Sequence, residues 1–389
     1  MSMYIPDEMV IEILSRLPVK SLLRCRSVCR VWHDVIDSPK FVEHQMYRSA
    51  SLCGRNRIGP LLFQRANLQT LNFSLTLLHS DTLAVAEEVK IPASIPSSFD
   101  GSSYWSVIGS CNGLVAISIF PIGVFQSNRD VDRVVIWNPA TKQIRELPTP
   151  IIVERQLLDY GFVYLSSVED YKVVRIVSRG NLGGMNGDFS IRVEVYSMQS
   201  DSWREIDTGS ICPIIMHSMR FMIHSSGVAV KGILHWPVFF PSASHSNDTG
   251  SIISFDMVHE LFREIQMPDA FSVSFDSRLR ILELNGLLAL ASSTSRESTL
   301  IDIWVMREYG NSESWSKVMS FGGADCMNIW FLGSWINGEV ILGGKWRERN
   351  HLMLFEPSSK KSIKHVEYDS NWDISQACNY YETLTPVGR

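Results

Sequence analysis

CNGLVAI at residues 111–117, followed after a polar interval by VVIWNPATKQIRELP at residues 134–148, is the phrase on which the fold turns. Each half is a short apolar run bounded by Gly, Asn, Pro or Thr, the grammar of strand and turn. Asn112-Gly113 is a pair that tolerates the positive φ of a tight hairpin. The phrase returns in looser form. DYKVVRIV from Asp170 precedes VEVYSMQSDSWREI (193–206), and KGILHW (231–236) precedes IISFDMVHELFREIQMP (252–268). NGLLAL (285–290) precedes IDIWVMREYGNSESWSKV (301–318), and NGEVIL (337–342) precedes LMLFEPSSKKSI (352–363).

Five marker aromatics, Trp137, Tyr196, Phe255, Trp304 and Phe355, stand 59, 59, 49 and 51 residues apart, near the roughly 50-residue period of kelch blades. One small antiparallel sheet cannot bury both of its faces, so repeated sheets must cover one another, and radial stacking does this. The expectation is an all-β propeller. Leu61 to Ile91 has room for one more blade without the clear phrase, which makes about six kelch-like blades. Cys378 to Val387 suits a last strand that returns to close the ring.

The first residues read differently. In IPDEMVIEILSRLPVKSLLRCRSVCRVWHDVIDSPKF (5–41), Pro6 with Asp7 and Glu8 favours a helix start, through a missing N–H and a negative first turn. Ile5, Met9, Val10, Ile13, Leu14 and Leu17 then form an apolar face up to Pro18. Two further short helices follow, and Ser38-Pro39 suits the start of a last helix carrying Phe41, Val42 and Met46. So small a unit cannot hide all this apolar surface within itself, and some of it should meet a partner.

The Ile5-Pro6 opening, Leu17-Pro18 and V-C-R-x-W ending in Trp32 resemble the F-box over roughly residues 4–48. SCNGLVAI, IWNPATKQIRELP and the GF…DYKVVRI pattern resemble the F-box-associated domain that follows plant F-boxes, over most of residues 100–370. The resemblance implies a small all-α F-box module (1–48), a linker (49–60) and a propeller domain (61–389). It implies docking onto a Skp-family adaptor, and through it a cullin, with Ile5, Pro6, Leu14, Leu17, Pro18, Leu22, Val28 and Trp32 as adaptor contacts. It also implies an unidentified protein substrate on the propeller, and a role as the substrate-recognition subunit of an SCF-type ubiquitin ligase, cytoplasmic and/or nuclear. A kelch-type propeller enzyme and an F-box protein with a non-degradative binding role are the alternatives.

Bulk properties fit such a protein. Of 389 residues, 45% are hydrophobic and 20% charged, with net charge −5, which disfavours disorder and a nucleic-acid partner. The acidic first turn argues against a secretory signal, and no apolar run reaches the roughly 20 residues of a membrane span. Seven scattered cysteines suit a reducing compartment.

No catalytic constellation, metal set or cofactor is expected. Gly180 to Gly187 lacks the Lys-Ser/Thr of a phosphate loop and reads as a hairpin loop. Cys25 and Cys29 could share a helix face and pack in a core, and His235-Trp236 reads as part of a blade. The tryptophans at 137, 203, 304 and 315 read as packing between blades. The better candidates for binding are Ile119 to Asp132, Ser178 to Ser190, Pro241 to Thr249 and Arg307 to Ser314, since recognition concentrates on loops.

Overall fold

The computed structural model describes residues 6–56, 60–67, 69–70, 72–79, 82–97, 103–121, 132–152, 156–179, 190–208, 220–221, 226–240, 249–268, 278–293, 300–322, 326–335, 338–347, 349–359, 361–369 and 371–388. Four helices lead: α1 (Asp7–Ser15), α2 (Val19–Cys25), α3 (Arg30–Ile36) and α4 (Pro39–Asn56). Pro6 and Pro18 occupy the positions just before α1 and α2, so the second proline opens a helix as well as ending the one before. Ser38 Oγ accepts from the Phe41 N–H at 3.3 Å, capping α4. Leu14, Val19, Leu22, Ile36 and Phe41 form the module's core.

Two sequence expectations shift here. Residues 49–56, expected as linker, continue α4. Cys25 and Cys29 share no helix, because α2 stops at Cys25. Cys25 is half-buried, and Cys29 is exposed ahead of α3.

The remaining chain makes six antiparallel sheets. The first uses β1 (Pro60–Asn67), β2 (Phe73–His79) and β3 (Val85–Val89). The second is β4 (Ser103–Cys111), β5 (Leu114–Pro121), β6 (Arg133–Asn138) and β7 (Gln143–Glu146). The third is β8 (Gln156–Leu165), β9 (Asp170–Arg179), β10 (Ser190–Ser197) and β11 (Ser202–Ile206). In the fourth, β12 (Arg220–Phe221) and β13 (Val228–Val230) both pair with β14 (Ile233–Phe240), followed by β15 (Thr249–Asp256) and β16 (Leu261–Gln266). The fifth is β17 (Arg278–Leu284), β18 (Leu287–Ser293), β19 (Leu300–Met306) and β20 (Trp315–Gly322). The sixth is β21 (Cys326–Ser334), β22 (Val340–Trp346), β23 (Arg349–Glu356) and β24 (Lys361–Glu367).

A final strand, β25 (Trp372–Asn379), pairs antiparallel with β1, from Leu61 opposite Asn379 to Asn67 opposite Trp372. It completes the first blade and closes a six-bladed ring. The closing strand therefore lies earlier than the expected Cys378 to Val387 and overlaps it only at Cys378 and Asn379. Beyond Asn379 the chain leaves the sheet, and Leu384 packs among the helices.

No blade has a core of its own. Among the described residues, six of the seven clusters of buried apolar side chains straddle neighbouring blades, one at each junction, and the seventh is the helical core. All five marker aromatics sit on the third strand of a blade and pack into the cluster shared with the preceding blade. Tryptophan indoles add directional links. Trp105 Nε1 donates to Pro96 O at 2.8 Å, Trp203 to Pro148 O at 2.7 Å, Trp236 to Tyr160 O at 3.0 Å and Trp315 to Gln266 O at 2.9 Å. The bonds of Trp236 and Trp315 run to strands of the blade before, and those of Trp105 and Trp203 to the crossing that leads in from it. Asn112, Gly113, Asn285, Gly286 and Gly338 have positive φ, as their Asn-Gly turns require.

Trp315→Phe removes the bond to Gln266 and leaves part of the buried indole's volume unfilled. It should lower stability by roughly 1–3 kcal/mol, read as a shift of the urea midpoint with unchanged slope.

Candidate functional site

Strand direction sorts the loops. In each blade the first-to-second and third-to-fourth connections lie at one end of the strands, while the second-to-third connections and the crossings to the next blade lie at the other. The first end carries short turns such as 112–113, 139–142, 231–232 and 285–286. β1 begins and β25 ends at this short-turn face, since Leu61 pairs with Asn379. The helical module therefore sits there. Three of the candidate binding loops, 119–132, 178–190 and 241–249, join second to third strands in three consecutive blades and share the opposite face. Most of their residues, with the glycine-rich 180–187, lie outside the described ones. Residues 307–314 join third to fourth strands and belong to the short-turn face, where Tyr309 reaches the neighbouring blade.

The helical module exposes apolar side chains on α1, around the start of α3, and on α4, where Tyr47 is 59% and Leu52 46% exposed. On α1, Met9 is 57% and Ile13 51% exposed, flanked by Glu8, Glu12, Arg16 and the half-buried Leu17. Arg16 bonds Glu12 at 2.7 Å and holds that carboxyl below its usual range. Around the start of α3, Val28 is 64% and Val31 60% exposed, with Trp32 half-buried. Covering such a side chain fully gains about 1.5–3 kcal/mol.

The eight expected adaptor contacts divide accordingly. Pro6, Pro18 and Val28 are exposed, and Leu17 and Trp32 are partly covered by the module's own core. Leu14 and Leu22 are buried in that core at 1% and 0% exposure. Ile5 lies outside the described residues. In the sequence Met9 and Ile13 read only as part of one apolar face with Val10 and Leu14, and neither they nor Val31 stand among the expected contacts. The available signal was the Met9/Ile13 spacing of four, which offsets these residues around the helix from Val10 and Leu14.

Two buried polar groups elsewhere join neighbouring blades. Arg175 (0% exposed) bonds Asp132 through Nη2 at 2.6 Å and Nε at 2.8 Å, and Glu194 through Nη1 at 2.5 Å. Tyr160 donates to the same Asp132, and Glu194 accepts from the N–H groups of Ile151 and Ile152 at 2.9 and 3.1 Å. Burial opposes the guanidinium charge, and the two carboxylates outweigh it, so its pKa lies above the usual arginine value. This network locks the crossing between the second and third blades.

His235, also fully buried, has Nδ1 3.2 Å from Val228 O and Nε2 2.9 Å from Tyr309 Oη. A carbonyl can only accept, so Nδ1 carries the proton and Nε2 accepts from the tyrosine. Burial pushes this imidazole's pKa down to about 4. At the ring axis, a cavity of about 270 Å³ is lined by the innermost strands, with Ser110, Arg280, Glu283 and Gln376 among its polar groups. Among the described residues no three His, Cys, Asp or Glu side chains converge as a metal site.

The comparisons align with this division of the chain. A model of the F-box domain matches residues 4–44, and a model of the F-box associated beta propeller domain matches residues 67–387. An F-box/kelch-repeat protein of Arabidopsis thaliana is 27% identical over 327 residues, covering 82% of this chain and 80% of the relative. The Arabidopsis thaliana F-box protein CPR1 is 28% identical over 333 residues, covering 81% and 72%. F-box protein DOR of the same plant is 26% identical over 376 residues, covering 93% and 87%. Among solved structures, TolB from Acinetobacter baumannii aligns at 11% identity and a TM-score of 0.47 over 88% of this chain and 73% of that one.

Glu194→Ala leaves a buried guanidinium half-paired and should cost about 3–5 kcal/mol, measured by urea unfolding. His235 stays neutral when folded and takes up a proton when unfolded, so its contribution is present above about pH 6.5 and lost as pH falls toward 4. Between pH 7 and 5 the loss should be on the order of 2 kcal/mol. A His235→Gln variant, which cannot titrate, should show a correspondingly smaller fall.

Proposed function

The chain belongs to the F-box proteins carrying an F-box-associated β-propeller domain, and from that premise we propose that it is the substrate-recognition subunit of an SCF-type cullin ubiquitin ligase. In this reading the helical module binds a Skp-family adaptor, and through it a cullin. The propeller face opposite the module receives a protein target. The observation that carries the reading is the exposure of Met9, Ile13, Val28 and Val31 on a module whose core is otherwise filled. Such side chains suit a partner's apolar surface and are poorly placed for bond-making chemistry.

The chain itself then acts by proximity. Holding a target lysine near the ubiquitin-carrying enzyme raises the effective concentration of one for the other, and no group of this chain needs to enter the reaction. Separation of the two faces favours simultaneous binding, since the adaptor on the short-turn side does not compete with a target on the other. A cytoplasmic and/or nuclear setting accompanies this role. Among the described residues no helix is long and apolar enough to cross a membrane. Seven of the eight contacts named from the family pattern are proposed to act in two ways, the eighth, Ile5, lying outside the described residues. Pro6, Leu17, Pro18, Val28 and Trp32 touch the adaptor, while Leu14 and Leu22 hold the module in the shape the adaptor binds.

Capture of the adaptor by the full-length chain tests the proposal. A Val28→Asp/Val31→Asp double variant should weaken capture at least about 30-fold, the loss of one interface hot spot, with little change in melting temperature because both positions are exposed. Leu14→Asp should instead melt the module. Failure of the unaltered chain to bind the adaptor, or undiminished binding by the double variant, overturns it.

A further inference from the structure

We infer that Tyr380–Val387 is a strap that fixes the helical module in one orientation on the short-turn face of the second blade. The segment lies outside the regular strands, and it is held from two sides. On the propeller side, Asn138 is fully buried, and its Nδ2 donates to Thr383 O at 3.0 Å and Thr385 O at 2.8 Å. The same residue's Oδ1 accepts from the N–H groups of Ala140 and Thr141 at 3.0 and 3.2 Å, which sets the amide's orientation. Thr383 Oγ1 donates to Asn112 O at 2.8 Å, and Tyr381 Oη to Asn112 Oδ1 at 3.0 Å. Tyr380 and Val387 are buried in the clusters on either side of the second blade.

On the helical side, Leu384 is 8% exposed within the core formed by Leu14, Val19, Leu22, Ile36 and Phe41. Gln45 of α4, 3% exposed, brackets it. Its Oε1 accepts from the Leu384 N–H at 3.3 Å and its Nε2 donates to Glu382 O at 3.4 Å. Thus the backbone groups of 382 and 384 bond the module, and the carbonyls of 383 and 385 bond the propeller.

Gly113 records how closely the strap lies. A Cβ there would stand 2.3 Å from Thr383 Oγ1 and 2.8 Å from Tyr381 O, at a φ of +78°. The turn residue that the hairpin needs for its backbone is also the one the strap needs for room. The chain's other passage between module and propeller is the single stretch from α4 into β1. One such joint would leave the module free to swing, the ordinary behaviour of domains sharing a small interface. The strap, with Ala140 of the 139–142 turn packed against the same helical core, supplies the second attachment, so the exposed faces of α1 and α3 keep a fixed bearing relative to the propeller. It stands whether or not an adaptor binds those faces.

The test uses the full chain with dyes at Lys40 and Lys361, both exposed, read by single-molecule energy transfer. The unaltered chain should give one narrow distance distribution. Asn138→Asp keeps the oxygen that caps the 139–142 turn, removes the donor to Thr383 and Thr385, and alters no helical residue. It should widen the distribution at least about twofold while melting of the propeller and capture of the adaptor persist. Leu384→Ala, which acts from the other side, should widen it likewise. A distribution in Asn138→Asp as narrow as in the unaltered chain overturns the inference. Loss of adaptor capture by the unaltered chain would instead overturn the proposed function and leave the strap intact.

Discussion

The antiparallel pairing of β25 with β1 is the constraint on which the molecule depends. Leu61 opposite Asn379 joins positions more than three hundred residues apart in one ladder, and without it β1 would stand as the unpaired inner edge of the first sheet. The same pairing dictates more than closure. Two adjacent antiparallel strands put the beginning of one beside the end of the other, so the chain enters and leaves the ring on one face. The helices that precede β1 and the segment that follows β25 must therefore meet there. The opposite face is left to the connections between second and third strands.

Once the ring is closed, stability resides in its junctions. Each buried apolar cluster of the propeller is shared by two blades, so removal of one sheet would expose two. Apolar burial is not directional, and a propeller built on it alone could tolerate slippage between blades. The tryptophan indoles and the Arg175 network add geometry, because each spans a junction and is satisfied only at one relative position of its partners. A buried ion network is costly to desolvate, and specifying that position is the benefit that can offset the cost.

The helical module shows the complementary economy. Seven or nine residues per helix in α1 to α3 are too few to cover one another completely, and the module closes its core by borrowing Leu384 and Ala140 from the propeller. What it does not cover includes Met9 and Ile13 on one helix, Val28 and Val31 near another, and Tyr47 and Leu52 on α4. The surface offered to a partner is the remainder after the module has been completed from within the chain.

Much was legible in the sequence. Proline, serine and acidic residues marked the helix starts, because those positions have chemical requirements that few side chains meet. The Asn-Gly pairs marked turns for the same reason, and the spacing of Trp137, Tyr196, Phe255, Trp304 and Phe355 revealed the blades, since equivalent packing positions demand similar side chains. These are local or periodic signals, which a linear chain can carry. Four matters were decided only in three dimensions: which apolar residues of the module stay exposed, which face each loop occupies, where the closing strand ends, and what Tyr380–Val387 does beyond it. Each depends on contacts between distant segments. Leu384 reads as one more apolar residue until the ring closes and brings it to α4, and Leu14 and Ile13 differ only in which way the finished module turns them.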